Sequence, residues 1–218
     1  MRVFITGGAG FLGINLIRAL KEHGVSDIVS YDLADFDHPE REWVKVVKED
    51  IRHVAPLREA MAGCDAVVHA AAATPLYTRE DIMTTNLDGT RNVLQAALDL
   101  GIERVVHLSS AEVYGVPDHR LVCETDKLVG TGPYGEANVK AEAFCTSFRD
   151  KDLCVAVLRP TPVVGPGRLG VLSLFFDWAR DGHNFPLIGS GENRYQLLDV
   201  SDLCEAIWAC LTLDKAVI

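Results

Sequence analysis

Residues 6–13 read Thr-Gly-Gly-Ala-Gly-Phe-Leu-Gly, immediately after the apolar run Val3-Phe4-Ile5. No other stretch restricts the fold as much. A buried strand enters a turn of glycines, and the turn opens an amphipathic helix carrying Phe11, Leu12, Ile14, Leu16, Ile17 and Leu20. Gly8, Gly10 and Gly13 fit G-x-G-x-x-G, and Gly7, Gly10 and Gly13 fit G-x-x-G-x-x-G. Glycine serves three needs at such a turn: positive φ, contact between backbone and a pyrophosphate, and close packing of helix on strand. The pyrophosphate then meets the unpaired N–H groups at the helix start. A tight turn alone could carry the same glycines. The flanking strand, the helix and an acid at the expected distance favour dinucleotide binding.

Asp32 is that acid. It ends the segment Ile28-Val-Ser-Tyr-Asp32, nineteen residues after Gly13. A carboxylate there accepts hydrogen bonds from the ribose hydroxyls and repels a 2′-phosphate, which favours NAD over NADP. Asp50-Ile51 follows a third apolar segment and offers a carboxylate and a backbone N–H to an adenine edge, or a solvated turn acid.

Strand-like and helix-like segments alternate along the chain. Apolar β-rich runs lie near 2–6, 27–31, 44–48, 65–69, 103–108 and 153–158. Helical patterns lie near 11–23, 54–62, 79–99 and 134–149. This alternation implies an α/β fold with a parallel sheet covered on both faces. The texture changes after Arg159, where Pro160, Pro162, Gly165, Pro166, Gly167 and Gly170 crowd one stretch of loop. A helix near 171–182, a turn at Gly189 and Gly191, a strand near 195–200 and a helix capped by Ser201 are expected next.

Composition excludes some classes. The chain has 218 residues, with 21 Lys and Arg against 31 Asp and Glu, a net charge of −10. That balance argues against nucleic acid or an anionic membrane as partner. The six cysteines form no C-x-x-C pair, and the seven histidines show no metal-ligand spacing, so no metal site is expected. No apolar run approaches a membrane span. These features suggest a soluble protein of the reducing cytoplasm.

Candidate chemistry follows the later strands. Ala70 to Ala73 are small enough to let a ligand approach the backbone. Ser109-Ser110-Ala-Glu112-Val-Tyr114-Gly follows the fifth strand, at the edge where open α/β sheets place ligands. Tyr134 then begins a helix. A tyrosine beside such a crevice can act as acid and base if its pKa falls from about 10 towards neutrality.

The ordered set of glycine loop, Asp32, Asp50-Ile51, alanine run, Asn86, Ser-Ser-Ala-Glu-Val-Tyr-Gly, Tyr134-Gly and Arg159-Pro resembles the extended short-chain dehydrogenase/reductase family. Within it, the NAD-dependent nucleotide-sugar epimerases and dehydratases, such as UDP-glucose 4-epimerase, are the most similar branch. The resemblance implies a Rossmann-type doubly wound sheet: residues 1–160 as an NAD-binding domain, and 161–218 as a small, incomplete substrate region interleaved with the sheet. It implies that Gly7, Gly10, Phe11 and Leu12 hold the pyrophosphate, Asp32 the ribose, and Asp50 and Ile51 the adenine. Ala70, Ala71, Ala72 and Pro160 would line the rest of the NAD site, and Asn86 would be a structural asparagine. Ser110 would bond the reacting sugar hydroxyl and Tyr134 would take its proton. Glu112 matches a glutamate that assists elimination or decarboxylation in some relatives, while Ala111 stands where dehydratases carry an aspartate. The resemblance also implies a homodimer formed by the helices near 79–99 and 134–149.

Three departures stand out. The family tyrosine is followed four residues later by lysine, but here Asn138 occupies that place. At about 100° per residue, a residue four along a helix returns to within about 40° of the first, whereas six along lies about 240° round. Lys140 is therefore no substitute. Asparagine can bond the nicotinamide ribose but brings no charge to lower the pKa of Tyr134. Pro162 stands where epimerases often carry an asparagine that contacts the substrate pyrophosphate. Family members usually continue past the helix after Asp202. Three readings follow: an epimerase or dehydratase that transiently oxidises a ring hydroxyl of a nucleotide sugar; a steroid-dehydrogenase-like alcohol dehydrogenase or ketone reductase; or a non-catalytic NAD(H)-binding protein.

Overall fold

Six parallel strands form the main sheet in the order β3-β2-β1-β4-β5-β6. They are β1 (Arg2–Thr6), β2 (Asp27–Asp32), β3 (Lys45–Lys48), β4 (Ala66–His69), β5 (Arg104–Leu108) and β6 (Cys154–Leu158). The computed structural model describes residues 1–116, 121–168, 172–184, 189–192 and 194–215. The expected Gly170 turn position lies outside them.

Parallel neighbours need crossovers; a 3-10 turn at Pro39–Trp43 lies in the one from β2 to β3, and helices provide the others: α1 (Phe11–Glu22), α2 (Val54–Met61), α3 (Arg79–Ile82), α4 (Thr90–Asp99) and α5 (Gly132–Arg149). Side chains alternate across each strand, so the sheet feeds two cores. Phe4, Val67 and Val105 face a cluster with Leu57, Leu94 and Phe148. Val3, Ile5, Val68 and Val106 face the other, with Leu16, Ile17 and Leu20 of α1. This second face is completed by α7 (Val200–Thr212), whose Leu203 and Ile207 pack on α1 and β5.

The helix expected near 79–99 is interrupted. Between α3 and α4, residues Met83–Gly89 take a π-helical path. Such a segment is uncommon and often marks a functional site. Beyond β6, β7 (Val163–Val164) pairs in parallel with β8 (Leu198–Asp199), with α6 (Leu172–Arg180) in the excursion between them. The strand expected near 195–200 is thus only two residues long. Asp199, not Ser201, caps α7: its carboxylate accepts the Ser201 N–H at 2.8 Å. A carboxylate one residue before the first helical turn reaches that N–H directly, which leaves Ser201 inside the helix.

Among the described residues, no helix is long and apolar enough to cross a membrane. Cys64, Cys145 and Cys204 are buried, while Cys123 is exposed.

Candidate active site

The sheet order reverses at β1, with β2 on one side and β4 on the other. A crevice opens there at the carboxyl ends of the strands. Each of the six strands delivers a candidate residue to that edge: Gly7 and Gly10 after β1, Asp32 at the end of β2, Asp50 and Ile51 after β3, Ala70–Ala72 after β4, Ser110 and Glu112 after β5, and Pro160 after β6.

The turn after β1 works because it lacks side chains. Gly7 has φ +72°, and a Cβ there would lie 2.8 Å from Ala71 N. A Cβ on Gly13 would overlap the Gly7 carbonyl. Gly10 caps α1 without a side-chain bond, and no acid occupies the first turn. The result is a cradle of backbone N–H groups that suits an anion. Phe11 and Leu12 lie in that first turn, half-buried. Asp32 braces the cradle: one carboxylate oxygen accepts the Ala9 N–H and the other the Ala34 N–H, both at 2.9 Å.

At the end of β3, Arg52 claims Asp50. Asp50 Oδ2 accepts from Arg52 Nε and Nη2 at 2.8 and 2.6 Å, and Oδ1 accepts the Arg52 N–H at 2.8 Å. Burial opposes ionisation of Asp50, but the hydrogen bonds from Arg52 outweigh it and hold the carboxyl below its usual range. Asp50 thus presents a carboxylate already satisfied on both oxygens. Ile51 is buried.

After β4, Ala70 and Ala71 are half-buried and Ala72 is exposed. Asn86, inside the π-helical segment, bonds Ala73 twice: its Oδ1 accepts the Ala73 N–H at 2.7 Å and its Nδ2 donates to the Ala73 carbonyl at 3.0 Å.

Beyond β5, Ser110 caps the short turn Ala111–Tyr114 and accepts the Glu112 N–H at 3.2 Å. Pro160 accepts the Ala111 N–H at 2.9 Å, which ties the ends of β5 and β6 together. Tyr134, in the first turn of α5, packs its ring on Ala73, Ile82 and Ala137. Burial raises the pKa of its hydroxyl, Asn138 and Ser110 pull it back, and the Glu112 carboxylate raises it further. Ser110, Tyr134, Asn138 and Glu112 therefore converge. Asn138 is 3% exposed, and its Nδ2 has no hydrogen-bond partner among the described residues. Lys140 is exposed on another side of α5. A buried amide donor left open beside Tyr134 suits a ribose hydroxyl, and the glycine cradle suits a pyrophosphate. The residues present therefore fit a nicotinamide dinucleotide.

The family model described as NAD dependent epimerase/dehydratase matches residues 3–217. The chain belongs to the NAD dependent epimerase/dehydratase family. Its similarity to individual members spans nearly all of its length. It is 35% identical to the uncharacterized protein y4nG of Sinorhizobium fredii, over 93% of this chain and 51% of that protein. It is 31% identical to a dTDP-glucose 4,6-dehydratase of Streptomyces niveus, over 99% of this chain and 70% of that protein. Among solved structures, the dTDP-glucose 4,6-dehydratase DesIV of Streptomyces venezuelae, a double mutant with NAD bound, superposes with a TM-score of 0.85 at 28% identity. That match covers 97% of this chain and 72% of DesIV. The chain thus spans about half the length of the first relative and about 70% of the other two.

Two hydrogen-bond networks of this family member stand behind the site and join residues that the sequence motifs leave apart. In the first, Ser109 donates to Glu142 at 2.5 Å, and Arg159 grips the same carboxylate through Nε at 3.0 and 3.1 Å and Nη2 at 2.7 Å. Arg159 Nη1 also donates to the Tyr114 hydroxyl at 2.8 Å. The hydrogen bond to Glu142 raises the pKa of Arg159, which keeps the guanidinium charged. The second network runs through Thr6, His69 and Thr90. Its one sequence signal is a repeated oddity: Val-Val-His ends both β4 and begins the close of β5, and the two histidines pair in register.

Proposed function

We propose that the chain is an NAD-dependent enzyme of the nucleotide-sugar epimerase or dehydratase class, acting through transient oxidation of a ring hydroxyl. The observation that carries this reading is the grouping of Tyr134 with Ser110 and with Asn138, whose buried Nδ2 has no hydrogen-bond partner among the described residues. In this reading Gly7, Gly10, Phe11 and Leu12 hold the pyrophosphate, and Asp32 the adenosine ribose. Asp50 and Ile51 flank the adenine, while Ala70–Ala72 and Pro160 line the middle. Asn138 Nδ2 donates to the nicotinamide ribose. NAD, when bound, would accept hydride from the carbinol carbon. Ser110 orients the reacting hydroxyl and Tyr134 takes its proton at Oη. Glu112 stands beside Tyr134 as a second group for proton transfer.

The similarity to dTDP-glucose 4,6-dehydratases supports a nucleotide sugar as the substrate class. Mass spectrometry of the small molecules that copurify with the protein tests the whole reading. A nicotinamide dinucleotide, alone or with a nucleotide sugar, is the expected result; finding neither, with no NAD binding by titration, would refute it.

A second reading, a protein that binds NAD(H) without turnover, is favoured by Asn138 in the place of the family lysine and by the raised pKa of Tyr134. Comparing turnover of the wild type with Asn138→Lys separates the two. A silent wild type with an active variant supports the binder; equal rates show that Asn138 is no defect.

A further inference from the structure

The segment Ala70–Ala73 is held at both ends, and one buried side chain joins the two anchors. At its start, Thr6 Oγ1 accepts the N–H groups of Ala70 and Ala71, each at 3.1 Å. Having spent its oxygen as acceptor, Thr6 needs somewhere to donate, and His69 Nδ1 lies 2.7 Å away. At its end, Asn86 bonds Ala73 on both backbone atoms, and the Asn86 carbonyl accepts the Thr90 hydroxyl at 2.7 Å. Thr90 Oγ1 is then free only to accept, and His69 Nε2 lies 2.9 Å away. Both ends demand the same imidazole: a proton on Nε2 and a lone pair on Nδ1. His69 is 1% exposed, so no solvent competes for either nitrogen.

We propose that His69 is a positioning residue for the cofactor: it fixes the Thr6 hydroxyl as acceptor for Ala70 and Ala71, and so sets where the alanine segment meets the dinucleotide. The inference rests on the reading that the crevice takes NAD. A histidine at this position could also serve the packing of the sheet alone, and two substitutions tell the roles apart. In His69→Asn, the amide oxygen falls near the place of Nδ1 and still accepts from Thr6. In His69→Gln, the amide reaches Thr90 instead, and the Thr6 hydroxyl loses its acceptor. Asparagine is the smaller residue and leaves the larger void, so packing alone makes His69→Asn the more damaging in every measurement.

The experiment is calorimetric titration of the full chain with NAD, alongside its melting temperature. Positioning predicts opposite orders: His69→Asn melts lower but binds within about threefold of wild type, whereas His69→Gln binds NAD about tenfold more weakly. An unchanged Kd in both variants, or a Kd that follows the melting temperature, overturns the proposal while leaving the NAD reading intact. Absence of NAD binding by the wild type overturns both. If His69→Gln does not fold, Thr6→Val against Thr6→Ser gives the same decision: the proposal requires weakened NAD binding in Val and near wild-type binding in Ser, and fails if both bind alike.

Discussion

At the scale of single residues, Tyr134 and Asn138 set the pH range of any chemistry. Burial raises the pKa of Tyr134, and Asn138 offers it hydrogen bonding but no charge. A base works only when deprotonated, so the rate should rise with pH up to a raised pKa. Asn138→Lys brings a cation within reach and should move that limb down by about 1–3 pH units. A profile of kcat/KM against pH for the two proteins checks this. The histidine pair gives a second prediction. Burial holds His107 at a pKa of about 4 and His69 well below its ordinary value. Both take up a proton on unfolding below about pH 6.5 but stay neutral in the fold. Stability should therefore be complete above pH 6.5 and decline towards pH 4, by about 3 kcal/mol for His107. Denaturant melts of wild type and His107→Leu across that window should show the shallower acid slope in the variant. Asp32 makes a third case. It braces Ala9 as well as facing the crevice, so Asp32→Ala should both loosen the glycine turn and weaken NAD at least about tenfold. Titration with NAD and NADP would show the preference between them narrowing.

At the scale of elements, α5 is the part on which the site depends. Tyr134, Asn138 and Glu142 recur every four residues and so share one side of the helix. Glu142 locks that side to the ends of β5 and β6 through Ser109 and Arg159. Removing one partner of a buried ion pair strands the other, so Glu142→Ala should cost about 3–5 kcal/mol, read by urea unfolding. The same helix shows what a sequence discloses. Its periodicity tells that Asn138, not Lys140, faces Tyr134, because that follows from helix geometry alone. The strands and the glycine turn are equally legible, since short apolar runs and obligatory glycines are local signals. The π-helical path of Met83–Gly89 is not, because the apolar pattern of the segment reads as an ordinary helix and the bonds from Asn86 to Ala73 show only in the folded chain. Nor is the hold of Arg52 on Asp50: a solvated turn acid and a buried, gripped one look alike in one dimension. The Asp199 cap is hidden for a simpler reason, as Ser201 and Asp199 are both good capping residues and only backbone angles decide between them.

At the scale of the whole molecule, the parallel sheet brings residues from six strands to one edge and leaves the opposite faces to α1 with α7 and α4 with α5. The α4 and α5 pair packs side by side, with Arg91, Gln95, Ala143 and Ser147 turned outward. We propose that these helices form a homodimer, as the family resemblance implies; sedimentation at micromolar concentration should then return twice the chain mass, and a monomer would overturn it. The small β7–β8 pairing has an evolutionary consequence. It joins Val163 to Leu198 at the two ends of one excursion, and both residues rest on the core. Whatever happens between them is closed off at its base like a drawstring. Sequence in that excursion can therefore diverge or lengthen while the dinucleotide half of the crevice keeps its shape, without relearning how to fold.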